Sequence, residues 1–347
     1  MKLAFVVNRV ETEQSDYTTI RLARKAASRG HELAFISLGD FIYESSGRIC
    51  AMATVPRAEA FEDDSAFLEH LQNEAPEERI VVEDFDIVML RSDPADELVH
   101  RPWAPSSSLL FAQLAAAHGT IVLNDPSHLT DAVNKTYFQH FPEEVRPATC
   151  ITRHVDEVVA FLEEHGGKGV VKPLQGSGGQ GVFIIDKDSG QNLNQIVESV
   201  TRDGYAIVQE YLPAAKDGDL RLITLNGRPL QVDGTYASLR RSSTTEDHRS
   251  NLSAGGEAAL EQPDEAALRV ADMCAPKLID DGMYLAGLDI VGERMIEVNV
   301  DTPGALSYME DLSGVDFSGA IIDDLERKVR LRKNYSGQLS NRHLAVV

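Results

Sequence analysis

The sequence predicts a mixed α/β and α+β protein with a parallel α/β domain at its N-terminus. Three observations support this fold class. Short apolar strands alternate with helices over the first 124 residues, which is typical of a parallel sheet. A glycine-rich loop at residues 176–181 lies between two apolar strands. Two later hairpins, with Asn-Gly and Gly-Glu turns, indicate an antiparallel C-terminal half.

The N-terminal elements are short and regularly spaced. We predict helices that each end at a glycine over Asp16–Arg29 and Ser106–His118, and strands over Leu3–Val7, Leu33–Ile36, Ile87–Leu90 and Ile121–Leu123. Residues 43–83 are acidic and irregular, and we assign no element to them. The first domain is therefore predicted over residues 1–124.

The pattern changes near residue 125. We predict helices over Asp131–Phe141, Val155–His165 and Phe317–Lys333, and strands over Gly169–Leu174, Val182–Ile185 and Ala206–Gln209. The two hairpins pair Leu220–Leu225 with Pro229–Asp233, and Leu285–Val291 with Arg294–Val300. These elements predict domains over 125–208 and 209–333, followed by a loose polar tail over 334–347.

Composition excludes several classes of protein. A formal net charge of −22 argues against nucleic acid as a partner, because a polyanion needs a basic surface. No apolar run approaches the roughly 18 residues of a membrane span. The three cysteines are far apart and form no CxxC pair, which argues against a zinc ribbon or a dithiol redox site. Such sparse cysteines are typical of reduced, cytosolic proteins.

The glycine-rich loop, Gly176 to Gly181, satisfies GxGxxG as a string. A strand follows it, whereas a dinucleotide fingerprint requires a helix, and the Gly-Lys-Ser/Thr of a P-loop is missing. The His-Arg-Asp and Asp-Phe-Gly motifs of protein kinases are missing too. Two interpretations stay open: a hairpin whose amides close over phosphates, or an ordinary long turn. Lys135 and Lys172 could reach phosphate oxygens, although either lysine alone also fits a surface residue.

Three polar side chains stand in the apolar strands of the last hairpin. Glu297 and Asn299 are two residues apart, so both point to one face, and Asp289 on the partner strand can point to the same place. Two carboxylates and an amide oxygen are hard ligands suited to Mg²⁺. The alternative is a solvated polar strand face, which the apolar neighbours make less favourable.

Several ordered motifs resemble prokaryotic glutathione synthetase, a family of ATP-grasp carboxylate–amine ligases. The resemblance extends from residue 1 to about 330 and is carried by Met89–Pro94, Tyr211–Arg221, Arg249–Gly256 and Gly287–Gly292. It implies a pre-ATP-grasp domain over 1–124, then two ATP-grasp subdomains, with the glycine hairpin as a lid on the first and ATP bound between them.

The resemblance also implies roles for individual residues. ATP would be bound by Lys135, Lys172, Gly176, Ser177, Gly178, Gly179, Gln209, Glu210, Tyr211, Leu212 and Asp219. The peptide substrate would be bound by Arg91, Arg221, Arg241, Arg249, Gly255 and Gly256, and Arg221, Arg241 and Arg249 would also be catalytic. Mg²⁺ or Mn²⁺ would be bound by Asp289, Glu297 and Asn299.

The activity that the resemblance implies is ligation of γ-glutamylcysteine to glycine through an acyl phosphate, with ATP as co-substrate. Small molecules would be the partners, without nucleic acid or membrane, and the enzyme would be a cytoplasmic homo-oligomer, a tetramer by resemblance. The chain departs from the family pattern at Asp301–Leu306, at Ser92 and at Ser242–His248. These departures keep two alternatives open: a ligase joining another carboxylate and amine, and a catalytically silent nucleotide-binding protein.

Overall fold

The computed structural model describes residues 1–97, 100–132, 134–174, 181–189, 191–202, 204–242 and 256–347. Within these ranges the chain forms sheets of seven, four and six strands and a two-stranded ribbon. The described helices include none that is both long and apolar enough to cross a membrane.

The N-terminal sheet has a parallel core. Its strands are β1 (Lys2–Val7), β2 (Glu32–Ser37), β3 (Phe41–Tyr43), β4 (Ile49–Thr54), β5 (Glu77–Val81), β6 (Ile87–Leu90) and β7 (Ile121–Leu123), in the order β3-β4-β2-β1-β6-β7 with β5 on β4. Its helices are α1 (Thr18–Ser28), α2 (Asp64–Asn73), α3 (Pro94–Glu97) and α4 (Ala104–Ala117). The parallel pairing of β1 with β2 and β6, and of β6 with β7, confirms the predicted α/β domain.

Residues 43–83 are better ordered than the sequence indicated. They contain the antiparallel strands β4 and β5 and the helix α2, which begins after Asp63, whose carboxylate accepts the backbone N–H of Ala66 at 2.8 Å. The prediction failed because β5 begins with exposed charged residues, Glu77, Glu78 and Arg79. Its strand character comes from pairing with β4, not from an apolar pattern.

The central sheet is antiparallel. Its strands are β8 (Thr149–Thr152), β9 (Lys168–Pro173), β10 (Phe183–Asp186) and β11 (Ala206–Glu210), in the order β10-β9-β11-β8. Helices α5 (Pro126–Leu129), α6 (Val155–Glu164) and α7 (Gln191–Thr201) belong to the same part of the chain. Strands β9 and β10 pair on either side of the glycine-rich loop, as predicted, although residues 175–180 lie outside the described ranges.

The predicted helix over Asp131–Phe141 is wrong. The described residues form two short 3-10 turns, Thr130–Ala132 and Lys135–His140. The Asn134 side chain accepts the backbone N–H of Thr136 at 2.9 Å. Asparagine competes with the helical backbone in this way, and it starts a new turn here instead of continuing one helix.

The C-terminal sheet contains the predicted hairpin of Leu285–Val291 with Arg294–Val300, whereas the predicted hairpin after Leu220–Leu225 is shorter than expected. Only Thr224 and Leu225 pair across its turn, and Gln231–Val232 pairs with a later strand. Its main strands are β12 (Asp219–Leu225), β16 (Ser238–Ser242), β17 (Glu257–Leu260), β18 (Leu285–Val291) and β19 (Arg294–Asn299), in the order β17-β16-β12-β18-β19, with β13 (Arg228–Pro229) on β12. The ribbon pairs β14 (Gln231–Val232) with β15 (Thr235–Tyr236), and the helices are α8 (Glu265–Asp280), α9 (Leu306–Ser313), α10 (Phe317–Asn334) and α11 (Asn341–Val346). Positive φ angles of 55° at Asn226 and 74° at Gly227 fit the predicted tight turn.

The first and last sheets share hydrophobic cores, whereas the central sheet has its own. Val6 and Val88 of the N-terminal sheet belong to one buried cluster with Leu222 and Leu288 of the C-terminal sheet. The central cluster is built from α6, α7, β9, β10 and β11 alone. Lys172 of the central sheet reaches the last hairpin through a polar contact with the backbone oxygen of Ile296, and the candidate site lies at that junction.

The tail is not loose as predicted. Helix α11 buries Leu344 and Ala345, and the fully buried Lys328 of α10 donates hydrogen bonds to the backbone oxygens of Leu344 and Val347, both at 2.9 Å. The polar composition of the tail did not predict this docking, because only two buried apolar residues and one buried ammonium group hold the short helix.

Candidate active site

The hairpin of β18 and β19 brings the three predicted metal ligands together. Asp289 is paired across the hairpin with Glu297, and Asn299 is paired with Gly287. The amide Nδ2 of Asn299 lies 3.3 Å from Oδ2 of Asp289. The strand period of two places Glu297 and Asn299 on one face, and the register brings Asp289 to the same face.

Two arginines surround the carboxylate of Asp289, which is 1% exposed. Arg221, its cross-strand neighbour on β12, donates from Nε to Oδ1 and from Nη2 to Oδ2, the second at 2.9 Å. Arg241 on β16 lies 2.7 Å from the same Oδ2. Burial alone would raise the pKa of Asp289, but Arg221 and Arg241 hold it well below its usual value.

Arg241 joins a second carboxylate to this network. Asp219, 2% exposed, stands opposite Arg241 in the β12–β16 register and accepts its Nε at 3.0 Å. Arg241 therefore bridges Asp219 and Asp289 from a position that is itself 7% exposed. The resemblance implied a position for Asp219 near the ribose or the phosphates, and the structure places its carboxylate in this buried ion network.

Two lysines from the middle of the chain contact the second strand of this hairpin, β19. Lys135 Nζ lies 2.7 Å from Oε1 of Glu297, and Lys172 Nζ on β9 donates to the backbone oxygen of Ile296 at 3.4 Å. Burial, followed by the nearby charge of Lys135, lowers the pKa of Lys172 to about 8. Burial would raise the pKa of Glu297, but Lys135 and Lys172 lower it.

The network is locally basic within an acidic chain. Its three carboxylates face four cationic side chains: Asp219, Asp289 and Glu297 against Arg221, Arg241, Lys135 and Lys172. A net positive charge in a protein of formal charge −22 is a local feature that attracts anions. Oriented, partly buried donors of this kind suit the oxygens of phosphate and carboxylate groups.

The predicted adenine-binding segment is an ordered strand end. Gln209, 4% exposed, donates from Nε2 to Oγ1 of Thr149 at 3.3 Å, and Glu210 accepts the backbone N–H of Ala148 at 3.1 Å. Tyr211 follows the last residue paired in β11, and the ammonium of Lys168 lies 3.9 Å from the centre of its ring. Leu212 then precedes a 3-10 turn over Pro213–Asp217.

Arg91 lies apart from the ion network, at a junction between the N-terminal sheet and the loop after β19. Its guanidinium is 4% exposed, donating from Nε to Oγ1 of Thr19 at 3.1 Å and from Nη2 to the backbone oxygen of Pro303 at 3.0 Å. The Asp301–Leu306 segment, where the sequence departs from the family pattern, is thus attached directly to the start of α1.

Further hydrogen bonds strengthen that junction. The Thr18 hydroxyl accepts the backbone N–H of Leu306 at 3.2 Å, and the Tyr308 hydroxyl donates to Oδ2 of Asp16 at 3.0 Å. Ala305 has a positive φ of 78°, an unusual conformation for a residue with a side chain. The loop that follows the predicted metal ligands therefore has a defined shape, fixed by the N-terminal domain.

Glu13, which the sequence did not single out, is buried at the same junction. It is 7% exposed, and its Oε2 has no hydrogen-bond partner among the described residues. Burial raises the pKa of Glu13 to about 7, against the opposing field of Arg91. A motif search could not find this residue, because a lone Glu in a loop carries no pattern.

The raised pKa predicts a pH dependence of stability. A neutral Glu13 stabilises the fold at low pH, and this contribution is lost as pH rises from the ordinary carboxyl value through about 7. Between pH 5 and pH 8 the free energy of unfolding should fall by roughly 2–3 kcal/mol through this group. Denaturant unfolding of Glu13→Gln should show a correspondingly smaller fall. Glu11→Gln, at an exposed position in the same loop, is the control, and equal slopes in both variants would contradict the assignment.

Several predicted site residues cannot be placed. Gly176, Ser177, Gly178, Gly179, Arg249 and Gly255 lie outside the described residues, whereas Gly256 directly precedes β17. The structure brings the metal set, Arg221, Arg241, Lys135, Lys172 and Asp219 into one network. Among the described contacts, Arg91 and the strand end at Gln209–Leu212 are not hydrogen-bonded or ion-paired to it.

Two family models together cover most of the chain. The model of the prokaryotic glutathione synthetase N-terminal domain matches residues 1–130, and the model of the ATP-grasp domain of the same family matches residues 134–314. The chain belongs to the prokaryotic glutathione synthetase family. A glutathione synthetase of Gloeobacter violaceus is 30% identical over 337 residues, covering 95% of this chain and 98% of the relative. A glutathione synthetase of Escherichia coli K12 is 29% identical over 310 residues, covering 88% and 91%.

Solved structures support the fold of this glutathione synthetase family member. The D-cycloserine synthetase DcsG superposes with a TM-score of 0.62 at 16% identity, covering 94% of this chain and 99% of that one. A RiPP-associated ATP-grasp ligase of Chryseobacterium gregarium, solved with ADP and peptides, gives 0.58 at 15% identity, covering 94% and 97%. The predicted ATP-grasp fold is confirmed, and the chain is an ATP-dependent carbon–nitrogen ligase.

Proposed function

We propose that the chain is a glutathione synthetase that joins the cysteinyl carboxylate of γ-glutamylcysteine to the amine of glycine, converting ATP to ADP and phosphate. The observation that carries the proposal is the match to both domains of this family. The basic network of arginines, lysines and carboxylates supplies the chemistry such a ligase needs.

The proposed reaction has two steps. A carboxylate oxygen of the peptide attacks the γ-phosphorus of ATP, the bond to ADP breaks, and an acyl phosphate forms. The neutral amine of glycine then attacks the acyl carbon, and phosphate leaves with the bridging oxygen as the amine loses a proton. No covalent enzyme intermediate is needed. The protein contributes positioning and electrostatic stabilisation.

Each part of the network has a place in this scheme. Lys135 and Lys172 would bind the phosphates, because their ammonium groups are compact charges on the hairpin side of the site. Arg221 and Arg241 would stabilise the charge that develops on the transferring phosphoryl and acyl oxygens. Their guanidinium groups are already oriented by Asp289 and Asp219, so little reorganisation is required.

The residues of the hairpin fit a divalent cation. The described residues contain no group of three or more His, Cys, Asp or Glu side chains placed to hold a metal ion. Asp289 and Glu297 nevertheless stand opposite each other, and the Asn299 amide lies 3.3 Å from Asp289, with its nitrogen facing that carboxylate when no cation is bound. Such hard ligands suit Mg²⁺ or Mn²⁺ shared with phosphate oxygens. When bound, the cation would supply neutralisation of phosphate charge. The three side chains would orient it from one face of the hairpin.

Product formation tests the proposal. With ATP and Mg²⁺ we expect ADP release to require γ-glutamylcysteine and glycine together, apart from slow leakage of the acyl phosphate, and mass spectrometry to identify glutathione. Omitting glycine should leave only the slow leakage, and omitting γ-glutamylcysteine, or replacing it with γ-glutamylcysteinamide, in which the reacting cysteinyl carboxylate is an amide, should abolish release. A chain that makes no glutathione but turns over ATP with another acid and amine would retain the ligase and refute this substrate pair.

The setting of the enzyme is part of the proposal. We expect it to act in the cytoplasm on small molecules, as a homo-oligomer that is a tetramer by family resemblance. The reduced state of Cys50, Cys150 and Cys274 is consistent with that compartment. Sedimentation equilibrium of the purified chain measures the oligomeric state.

A further inference from the structure

A residue of the N-terminal domain holds the open end of the hairpin of β18 and β19, which carries the proposed metal ligands. Asn124 follows β7 and is 5% exposed. Its side-chain Nδ2 donates to the backbone oxygens of Leu285 at 3.0 Å and of Val300 at 2.5 Å, and its Oδ1 accepts the backbone N–H of Leu285 at 2.9 Å. Both hydrogens of the amide nitrogen are therefore used, and its oxygen has a donor.

This side chain takes the place of a missing strand residue. Gly287 pairs with Asn299, the last residue of β19. The next pair of the same kind in an unbroken ladder would join Leu285 to Asp301, where β19 no longer continues. Such alternate pairs exchange both N–H···O bonds in an antiparallel sheet. Asn124 exchanges these two bonds with Leu285 instead, because a carboxamide carries the donor and the acceptor of a peptide group.

The backbone on either side of Asn124 is itself held in place. On β7, the backbone N–H and C=O of Val122 both bond to the side chain of Asn341 in α11, at 2.7 and 2.9 Å. After Asn124, the backbone N–H of Asp125 donates to the backbone oxygen of Gly282 at 3.1 Å. The Asn124 amide is therefore presented to the hairpin in one orientation.

The bond to Val300 bears on the proposed metal ligands. Val300 directly follows Asn299, and its side chain is 3% exposed, in the core that the first and last sheets share. Because both the carbonyl and the side chain of Val300 are held, the backbone from which the Asn299 amide projects is held as well. Replacing residues that orient metal ligands typically lowers metal affinity or activity by about 10- to 100-fold.

Other contacts of the N-terminal domain hold the chain farther along the same loop. Arg91 donates to the backbone oxygen of Pro303, and the Thr18 hydroxyl accepts the backbone N–H of Leu306. Both contacts lie beyond Val300 in the chain. The contact that this domain makes next to Asn299 therefore comes from Asn124.

We propose that Asn124 is a positioning residue of the metal site, which fixes where β19 ends and so holds Asn299 in place to bind the cation. The inference rests on the proposed function and deepens it, because it adds a residue of the first domain to a site in the last sheet. In this role Asn124 acts through Asn299 and does not contact the cation.

Direct titration with Mn²⁺ tests the role. The full chain is titrated in the presence of an unreactive ATP analogue, and free Mn²⁺ is measured by electron paramagnetic resonance, so that no turnover is required. We expect Asn124→Ala to raise the dissociation constant of Mn²⁺ about 10- to 100-fold, in the same direction as Asn299→Ala. The kcat for ADP release should fall by a similar factor.

Asn341→Ala is the matched control. The Asn341 side chain also exchanges both backbone bonds with one residue, Val122, and it does so on the strand that leads to Asn124. Its hydrogen bonds among the described residues go to Val122 and Asp125, not to the hairpin. Both variants should lose stability, but only Asn124→Ala should lose Mn²⁺ affinity. If Asn124→Ala does not fold, Asn124→Ser is compared instead, because its hydroxyl retains a polar group at the position.

The outcomes separate this inference from the proposals on which it rests. Wild-type Mn²⁺ affinity in Asn124→Ala, with weakened binding in Asn299→Ala, would overturn the positioning role and leave the metal site intact. An equal loss of affinity in Asn341→Ala would also overturn it, because general loosening of the fold would then be the cause. Unchanged binding in Asn299→Ala would overturn both the inference and the hairpin as the metal site. The expected Mn²⁺ pattern in a chain that makes no glutathione would support the inference and refute the substrate pair.

Discussion

Replacing Arg241 with methionine should remove most of the activity and destabilise the fold, whereas the same replacement at Arg240 should do neither. The two arginines are neighbours on β16 and point to opposite faces. Arg241 binds Asp219 and Asp289, both almost fully buried, whereas Arg240 pairs with the more exposed Glu261 at 2.9 Å. Arg241→Met removes the guanidinium that bridges two buried carboxylates, and this should lower the free energy of unfolding by about 3–5 kcal/mol. Arg240→Met removes a partly exposed pair worth about 0–1 kcal/mol.

Enzymatic activity should also fall in Arg241→Met and stay unchanged in Arg240→Met. Loss of one oriented donor at a charged transition state lowers kcat by about 100- to 1,000-fold, so we expect at least that loss in Arg241→Met. Denaturant unfolding and coupled ADP release measure the two effects. Arg241→Lys provides a folded variant for the kinetic comparison, because it retains the charge while losing the planar fork that bridges two carboxylates. Wild-type kinetics in Arg241→Lys, or equal destabilisation at positions 240 and 241, would contradict the role of the bridge.

The hairpin of the site could be predicted from the sequence because its determinants are local. Strand alternation places Glu297 and Asn299 on one face, as predicted. The Gly292-Glu293 turn sets Val291 opposite Arg294, and an unbroken register would then set Asp289 opposite Ile296. A register shift after Asp289 pairs it with Glu297 instead, and this irregularity could not be predicted from the sequence.

The ion network could not be predicted, because it depends on registers between distant strands. Arg221 faces Asp289 only through the alignment of β12 with β18, and Arg241 faces Asp219 through the alignment of β12 with β16. No sequence rule specifies those alignments. Glu13 could not be predicted either, because it is 7% exposed although it stands in a loop among polar residues, and its charged neighbour Arg91 is distant in the chain.

Glu297→Gln should remove almost all ATP turnover, leaving a measurable residual rate, while the protein stays folded. Glutamine keeps the size and one oxygen of the side chain but removes the charge that faces Lys135 and helps to bind a divalent cation. Loss of several kcal/mol of charge stabilisation corresponds to a fall in kcat of about 1,000-fold or more. Glu293→Gln is the control, since Glu293 lies in the turn of the same hairpin and pairs only with the exposed Arg269 among described residues.

Phosphate release as a function of Mg²⁺ concentration separates the proposed metal role from a general electrostatic one. If Glu297 is a metal ligand, the Mg²⁺ concentration for half-maximal rate should rise in Glu297→Gln, with Asn299→Ala shifting the same way, and Glu293→Gln should match the wild type. If Glu297 only balances the positive charge of Lys135 and Lys172, its replacement should change the affinity for ATP. The Mg²⁺ concentration for half-maximal rate should then stay the same. Unchanged Mg²⁺ dependence in both Glu297→Gln and Asn299→Ala would exclude the hairpin as the metal site, because no other described group offers these oxygen ligands beside the two lysines.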